Sequence, residues 1–476
     1  MHSDEFSKLC KYCDNIILSD INSELTLSYS KLHVIKNHPE FNNEYFLEKS
    51  IKKKSKYVKT NFFFGILRYV KSFFNEDKNF YFKSKKEKKI QCLVISSLIN
   101  LRHLNHDEDF YYGSLLQQLK KKNIELKLIL RNDTNLSSKK VYKKLKKNKI
   151  ILSKRTLIIY EIYFIILAFC TYLKFNLFVK KFNYKKKKIN FFSLRSFGYI
   201  VSNLRQSLQI EKLVKIFKPR FLIITFEGHA WERLVIKRLK KFENIKIFAY
   251  QFSAVTKNHH SLFRSINTDL DPDCILTTGN NTYNMFSKKY NCPIKIIGSK
   301  KSLKRNLNIN FRRNMKKTKN SILILPEAYI SESRSLLNFC IKISEIYKHY
   351  KFYLRLHPMI HFDQIDVDIK KYNNIEVSNV SLEEDFKRTS VFIYRGSASA
   401  IEASAYGLIP IYYGPYNFAN VNPLFQVLSR KSYITDPKKF ENLINSYSSK
   451  ERKKIKLFSL DFFEKLKLNK NIFKSL

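Results

Sequence analysis

Short apolar runs alternate with amphipathic helical patterns along most of the chain. Apolar runs at residues 91–99 and 126–130 predict buried strands, and the pattern over residues 114–122 predicts a helix between them. The further strands predicted in this half lie at residues 190–194, 221–225, 245–250, 274–277 and 294–297. A helix is predicted at residues 231–241. Strand, helix and strand at this spacing are typical of a parallel sheet.

The alternation is most regular after residue 320. The strands predicted there lie at residues 321–325, 351–356, 375–377, 391–394 and 409–413, and the helices at residues 333–350, 382–388 and 399–406. A lysine-rich polar run over residues 300–319 separates this half from the first and is interpreted as a linker. The tail after residue 437 is predicted to be helical and basic.

These elements predict an α/β protein with two Rossmann-like domains that face a cleft. The boundaries are an amino-terminal extension at residues 1–88, a first domain at 89–300, a second domain at 320–436 and a tail at 437–476. In such sheets ligands bind outside the carboxyl ends of the strands.

The most apolar stretch of the chain covers residues 156–173. It is close to the length of a membrane span, but Glu161 interrupts it, and lysines follow at positions 180, 181 and 185–188. Three interpretations stay open: a buried helix, an interfacial helix with a basic flank, and a membrane span.

Composition adds a strong basic balance. The 476 residues include 89 Lys and Arg against 40 Asp and Glu, a formal charge of +49, which suggests an anionic partner. Lys, Asn, Ile, Phe and Tyr are abundant and Gly is scarce, so compositional drift on solvated faces is the alternative. No nucleic-acid motif is present, and no nucleic-acid partner is expected.

The seven cysteines are scattered and odd in number, which suits a reducing compartment. Cys10 and Cys13 form one C-x-x-C without a second pair, so no metal site is expected. The first residues carry no basic-then-apolar pattern, so no secretion signal is expected either.

A candidate phosphate site lies in residues 391–414, where a buried strand runs into a turn of small residues and then a helix. The residues assigned to it are Arg395, Gly396, Ser397, Ala398 and Ser399. Free N–H groups at a helix start attract phosphate, and small side chains let a ligand approach the backbone. Glu402, one turn into the helix, could reach a ribose hydroxyl. The alternative is a simple serine N-cap.

Residues 354–358, LRLHP, end the strand predicted at residues 351–356 with a histidine. His357 would lie at the same sheet edge as the serine turn, on an adjoining strand end, and could stabilise a leaving phosphate. Arg355 alternates with it along the strand and would point to the other face. It is kept as a candidate nucleotide-binding residue.

In the first half, residues 221–233 read FLIITFEGHAWER. Glu227 follows an apolar strand beside a glycine, a reasonable position for a general base, and His229 is the alternative base. A helix-capping acid is the competing interpretation of Glu227. The other polar candidates for an acceptor pocket are His103, His106, Asp107, Glu108, Asp109, His259 and His260.

The R-x-H-P strand end, the later G-S-x-S helix start and the G-x-x-P-I strand resemble GT-B fold transferases that use cytidine-activated donors. These include bacterial sialyltransferases, polysialyltransferases and Kdo transferases. Residues 226–233 and 250–253 also resemble a family of surface-carbohydrate biosynthesis proteins. The resemblance covers roughly residues 221–415.

By this resemblance, His357, Ser397 and Ser399 match phosphate-binding positions, and Glu227 matches the base of an acidic-glycine motif. Phe226 stands where that motif has its other acid. The resemblance implies an inverting, metal-independent glycosyltransferase that moves a CMP-activated acidic sugar onto a surface-glycan acceptor.

No cofactor beyond the nucleotide-sugar donor is expected, and the location implied is cytoplasmic, with possible peripheral contact to an anionic membrane. Three alternatives stay open: a CDP-alditol phosphotransferase, a nucleotide-sugar epimerase of the same fold, and a basic nucleic-acid-binding protein.

Overall fold

The computed structural model describes most of both predicted domains. The described residues are 2–34, 90–104, 108–134, 136–145, 149–174, 183–184, 187–188, 194–302, 320–358, 360–415 and 420–468.

Fifteen strands are found in these ranges. They are β1 (Cys92–Leu98), β2 (Leu126–Asn132), β3 (Lys149–Ile151), β4 (Asn183–Tyr184), β5 (Lys187–Lys188), β6 (Phe221–Thr225), β7 (Lys246–Tyr250), β8 (Cys274–Thr277), β9 (Ile294–Ile296), β10 (Ser321–Leu325), β11 (Lys351–Leu354), β12 (Ile375–Val377), β13 (Val391–Tyr394), β14 (Ile409–Tyr413) and β15 (Tyr433–Ile434).

The α-helices of the same ranges cover the sheets. They are α1 (His2–Ser19), α2 (Glu24–Leu27), α3 (Leu115–Lys121), α4 (Ser138–Tyr142), α5 (Ile158–Leu173), α6 (Leu194–Phe217), α7 (Ala230–Lys240), α8 (Asn280–Phe286), α9 (Ile330–Ile346), α10 (Leu382–Arg388), α11 (Ser399–Ala405), α12 (Phe440–Asn445) and α13 (Ser449–Phe462).

Two parallel sheets form the architecture. The first has the order β3-β2-β1-β6-β7-β8-β9 and the second the order β12-β11-β10-β13-β14-β15. Strands such as β8, β10 and β13 are buried along their whole length, as expected for parallel strands covered on both faces. The predicted fold class, α/β with two Rossmann-like domains, is confirmed.

Each sheet reverses its strand order at one point. In the first sheet the chain moves outward from β1 and later returns to place β6 on the other side of it. In the second sheet β10 and β13 have the same relation. Ligands of doubly wound sheets bind outside the carboxyl ends of strands at such a switch point. The topology therefore directs attention to the residues after β1, β6, β10 and β13.

The carboxy-terminal tail joins the two domains. Helix α13 packs on α11 of the second domain and on α8 of the first. The segment after it lies along the edge of the first sheet, where Ser299 N–H donates to Glu464 O at 2.8 Å and Lys467 N–H donates to Ile297 O at 2.8 Å. The predicted helices of the tail are present, and they connect the domains.

The described part of the amino-terminal extension also packs on the first domain. Helix α1 contributes Cys10 and Cys13 to a buried cluster with α5 and α6, and burial raises the pKa of both thiols, that of Cys13 to about 12. Arg238 of α7 donates to Glu24 of α2 at 2.5 Å. The parts of the chain that the structure describes hold no group of three or more His, Cys, Asp and Glu residues arranged for a metal ion.

Two predicted segments need comment. The strand predicted at residues 190–194 lies outside the described residues except for Leu194, which begins α6 instead. Most of the predicted linker, residues 303–319, also lies outside them. Within the described ranges, no helix combines the length and the apolar character that a membrane span requires.

Candidate active site

The turn after β6 holds the acidic-glycine motif in a fixed conformation. Gly228 has a φ of +76°, and a Cβ there would lie 2.3 Å from the Ser261 carbonyl oxygen. The Ser261 hydroxyl in turn donates to Glu227 O at 2.8 Å. Glycine is required here both by the backbone conformation and by the close approach of a second chain segment.

Glu232 holds the same turn from the first turn of α7. One of its carboxylate oxygens, Oε2, accepts the N–H groups of Glu227 and His229, each at 2.9 Å. Glu232 is buried, and burial raises its pKa to about 7 despite the opposing effect of His229. The capping acid of this helix is therefore Glu232, which leaves the Glu227 carboxylate for another role.

Glu227 and His229 form a hydrogen-bonded pair at the carboxyl edge of the first sheet. His229 Nε2 lies 3.3 Å from Glu227 Oε2. Burial alone would raise the pKa of the Glu227 carboxyl, but the hydrogen bond and charge of His229 outweigh it and lower that pKa to about 2. Burial would lower the pKa of His229, but Glu227 raises it above the ordinary value. At neutral pH the pair is a carboxylate beside an imidazole with raised proton affinity.

Polar groups from two neighbouring loops, those after β1 and β7, surround this pair. Ser253 donates a hydrogen bond to the Glu227 carboxylate, and the charge of the buried His259 also lowers the pKa of Glu227. Burial, and then the charge of Glu227, raises the pKa of Tyr111. Asp109 fixes this tyrosine by accepting its N–H at 2.8 Å. Of the predicted acceptor-pocket residues, the structure thus brings His259 and Asp109 to the pair.

The remaining acceptor-pocket candidates that the structure describes have other surroundings. His260 pairs with Asp14 of α1 at 2.8 Å. His103 and Glu108 line a cavity of about 100 Å³ between β2 and α3, which Asp109 also lines. His106 and Asp107 lie outside the described residues.

In the second domain, one sheet edge carries both His357 and the serine turn, but not on adjoining strands. His357 follows β11 and Ser397 follows β13, and β10 runs between them. The expectation of adjoining strand ends was wrong, because strand order in a doubly wound sheet does not follow chain order. At ~4.8 Å per strand, the two positions stand roughly 10 Å apart.

Glu327 occupies the position between them. It follows β10 and Pro326 and is buried. Burial lowers the pKa of His357, while the charge of Glu327 raises it and that of Lys301 lowers it. Sequence analysis missed Glu327, although it follows a buried strand and a proline.

The serine turn is not a serine N-cap. The N-cap residue of α11 is Ala398, and no side-chain hydrogen bond forms at that cap. The backbone turns through a hydrogen bond from Ala400 N–H to Ser397 O at 3.2 Å. The capping interpretation is therefore wrong, and the hydroxyls of Ser397 and Ser399 are not used to start the helix.

Both predicted arginines lie against carboxylates of their own domain. Arg395 is buried, and its Nε lies 3.7 Å from Glu332 Oε1 in α9. Arg355 donates to Asp385 of α10 at 2.8 Å and so points to the other face of the sheet. Their assignment to nucleotide binding stays a prediction, and the contacts show how each guanidinium braces the sheet edge.

Lys300 and Lys301, at the start of the linker, interact electrostatically with titratable groups at the carboxyl edges of both sheets. Burial raises the pKa of Glu402 in α11, and the charges of Lys301 and Lys300 oppose this. Burial lowers the pKa of Lys300, and Asp109 of the first domain opposes that. Lys301 also lowers the pKa of His357. The positive charge of these lysines is therefore felt both at the first-domain edge that carries the Glu227–His229 pair and at the second-domain edge that carries the serine turn. Sequence analysis could not separate them from the abundant lysines around them.

Comparisons with known proteins give only distant similarities. No family model and no curated protein sequence matches the chain. Among solved structures, the chain is similar to the calicheamicin glycosyltransferase (9% identity, TM-score 0.49, 79% of this chain and 94% of that one). It is also similar to the UDP-GlcNAc 2-epimerase of Neisseria meningitidis bound to UDP-GlcNAc (11%, 0.43, 79% and 95%) and to MurG of Acinetobacter baumannii (11%, 0.43, 78% and 94%). Similarities of this size do not indicate a shared activity or substrate.

Proposed function

We propose that the protein is an inverting glycosyltransferase that moves a CMP-activated acidic sugar onto a glycan acceptor. The observation that carries the proposal is that Lys300 and Lys301 act electrostatically on residues of both switch-point edges. One edge presents a hydrogen-bonded carboxylate and imidazole, and the other presents a histidine and a turn of small residues. A base facing a phosphate site across a cleft is what transfer from a nucleotide sugar requires.

The second domain would hold the donor. Its phosphate would lie outside the strand ends, within reach of His357 on one side of Glu327 and of the serine turn on the other, where the positive charge of Lys301 also acts. The small residues Gly396, Ser397 and Ala398 leave room for the phosphate oxygens, and hydroxyls that do not cap the helix can donate to them. As the bond to the sugar breaks, these groups would stabilise the charge on the departing phosphate.

The first domain would hold the acceptor. The acceptor hydroxyl oxygen attacks the anomeric carbon as the anomeric C–O bond to phosphate breaks, with both electrons of that bond leaving on the phosphate. The hydroxyl proton passes to the Glu227–His229 pair, whose Nε2–Oε2 contact of 3.3 Å allows the two groups to share it. Attack from the face opposite the leaving group inverts the anomeric configuration.

A transfer assay with purified protein tests this assignment. CMP release is measured with a CMP-activated acidic sugar and a panel of glycan acceptors, for the wild type and for Glu227→Gln and His357→Ala. We expect Glu227→Gln to keep donor binding and to lose about 10²- to 10⁴-fold in transfer rate, because it removes the carboxylate that raises the proton affinity of His229 in the pair. His357→Ala is expected to lose donor turnover while the fold stays intact.

Matched controls come from exposed residues that the proposed site does not use. His349→Ala and Glu383→Gln remove the same chemical groups from the surface of the second domain and should leave transfer unchanged. Unchanged kinetics in His357→Ala would contradict the phosphate assignment. Transfer of a phosphoalditol from a CDP donor, or turnover of donor with no acceptor present, would replace the proposal by a phosphotransferase or an epimerase.

A further inference from the structure

Helix α5 presents a continuous apolar face to solvent. Its large side chains on that face are between 38% and 69% exposed. They are Ile159, Ile162, Tyr163, Ile166, Phe169 and Leu173. Their spacing of three and four residues aligns them along one side of the helix, and such a contiguous patch on a surface marks an interaction site.

The opposite face of α5 is fixed to the protein. Glu161 accepts from Arg205 of α6 through two hydrogen bonds of 2.7 Å, and Thr156 donates to it as well. Phe164 and Ala168 are buried in the cluster that α5 shares with α1 and α6. The helix therefore cannot leave the protein as a separate span without exposing a buried ion pair to lipid.

Positive charge flanks the apolar face. Lys212 of α6 lies over the ring of Tyr160, with its ammonium 4.1 Å from the ring centre. Lys174 follows the last residue of α5, and the sequence from there to Lys188 contains seven lysines and no acidic residue. A basic flank beside an apolar face complements a surface that is apolar inside and anionic at its boundary.

We propose that α5 docks the protein on an anionic lipid surface, with its axis in the plane of the interface. At 16 residues the helix is about 24 Å long, shorter than the ~30 Å hydrocarbon core, and its inner face is already packed. The exposed side chains enter the boundary between headgroups and acyl chains, and the lysines bind anionic headgroups.

A second copy of this chain is the competing occupant. In a two-fold dimer through α5, the same surface of both copies meets, which brings together two chains that each carry a formal charge of +49. Repulsion between the like charges disfavours the dimer, whereas an anionic membrane attracts the same positive charges. The inference does not depend on the proposed function, because docking requires no donor and no transfer.

The first experiment uses Cys170, which is exposed on the same side of α5. A nitrobenzoxadiazole label on this thiol, in the full chain with Cys292→Ser, reports entry into an apolar environment. With vesicles of equal parts phosphatidylglycerol and phosphatidylcholine, we expect a blue shift and a rise in fluorescence. If the label's emission wavelength and intensity stay the same when vesicles are added, the proposal is wrong.

The second experiment is vesicle flotation of the triple variant Ile162→Gln, Ile166→Gln, Phe169→Gln. Glutamine keeps helix propensity, and each side chain is already about half buried, so we expect roughly fivefold weaker binding per substitution and roughly a hundredfold for the three. The matched control is Ile346→Gln, Val380→Gln, Leu457→Gln, which changes isolated exposed apolar residues and should bind as the wild type does.

Two results of the flotation series would overturn the proposal. Equal binding by both triple variants would show that the overall charge, not α5, holds the vesicles. A concentration-dependent dimer in the wild type that the α5 variant abolishes, with no loss of vesicle binding, would assign the face to a second copy. Circular dichroism of each variant confirms that α5 and the fold are retained.

Discussion

The substitution Glu232→Gln should make the protein progressively more stable than the wild type as pH rises. Burial raises the Glu232 pKa from 4.5 to about 7. Below pH 4.5 the carboxyl is neutral in both the folded and the unfolded protein and contributes no difference. As pH rises from 4.5 to about 7, the unfolded chain releases its proton first, so the folded state loses stability. Above that range the loss is complete.

The size of the effect follows from the shift. A difference of about 2.5 pKa units at ~1.36 kcal/mol each gives about 3 kcal/mol as an upper value. Glutamine keeps an oxygen that can accept the N–H groups of Glu227 and His229, so the turn is preserved. The free energy of unfolding of the variant, relative to the wild type, should therefore rise by up to about 3 kcal/mol between pH 4.5 and pH 8.

Urea unfolding of both proteins across this pH range measures the difference. Glu383→Gln, on the exposed face of α10, controls for the loss of one surface carboxylate. Curves for the wild type and Glu232→Gln that run parallel over the whole range would refute the reasoning, because they would show that Glu232 titrates alike in the folded and unfolded protein.

Three further predictions concern the dyad and the first domain. A carboxylate with a pKa of about 2 is a weak base, so we expect His229 to take the acceptor proton and kcat/KM to rise with pH through the pKa of His229, above 6.5. A kcat/KM that stays constant from pH 5 to 8 would assign the base to Glu227. Glu161→Gln breaks a buried ion pair and should cost about 3–5 kcal/mol in urea unfolding; a loss near zero would contradict the geometry. Gly228→Ala should abolish transfer, because its Cβ meets a backbone carbonyl, whereas Gly198→Ala, with open space around it, should transfer normally in the same assay.

The sheets were largely predictable from the sequence. Strands β6, β8, β10, β12, β13 and β14 begin and end where their apolar runs do, since parallel strands buried on both faces are written as short apolar segments. Helix α9 begins three residues before its predicted start because polar residues at its first turn hide the pattern. The apolar segments alone did not predict the order of the strands, which decides which strands are neighbours in each sheet.

The site residues that directly follow a predicted strand could be predicted from the sequence. Glu227, His229 and His357 all follow buried strands, and a parallel sheet brings such positions to one edge. Glu232 was not singled out, because its role depends on backbone N–H groups that only the folded turn aims at it. Lys301 lies among many lysines, and only the folded chain brings its charge close enough to lower the pKa of His357.

The exposed face of α5 could not be predicted from the sequence. The sequence gives the same apolar run for a buried helix, an interfacial helix and a span. The ion pair of Glu161 with Arg205 orients the helix and decides which side faces solvent. Partners forty-four positions apart in the chain cannot be paired from periodicity alone.

The central claim is that the second domain binds a nucleotide phosphate beside His357. Thermal unfolding with CMP, CDP, UDP, GDP and ADP tests it most directly, on the wild type and on His357→Ala. A nucleotide at a hundred times its dissociation constant should stabilise the wild type by about 2.7 kcal/mol. We predict that CMP gives the largest stabilisation and that His357→Ala weakens its binding at least tenfold. Stabilisation by none of the five nucleotides, or equal CMP binding by His357→Ala, would contradict the claim.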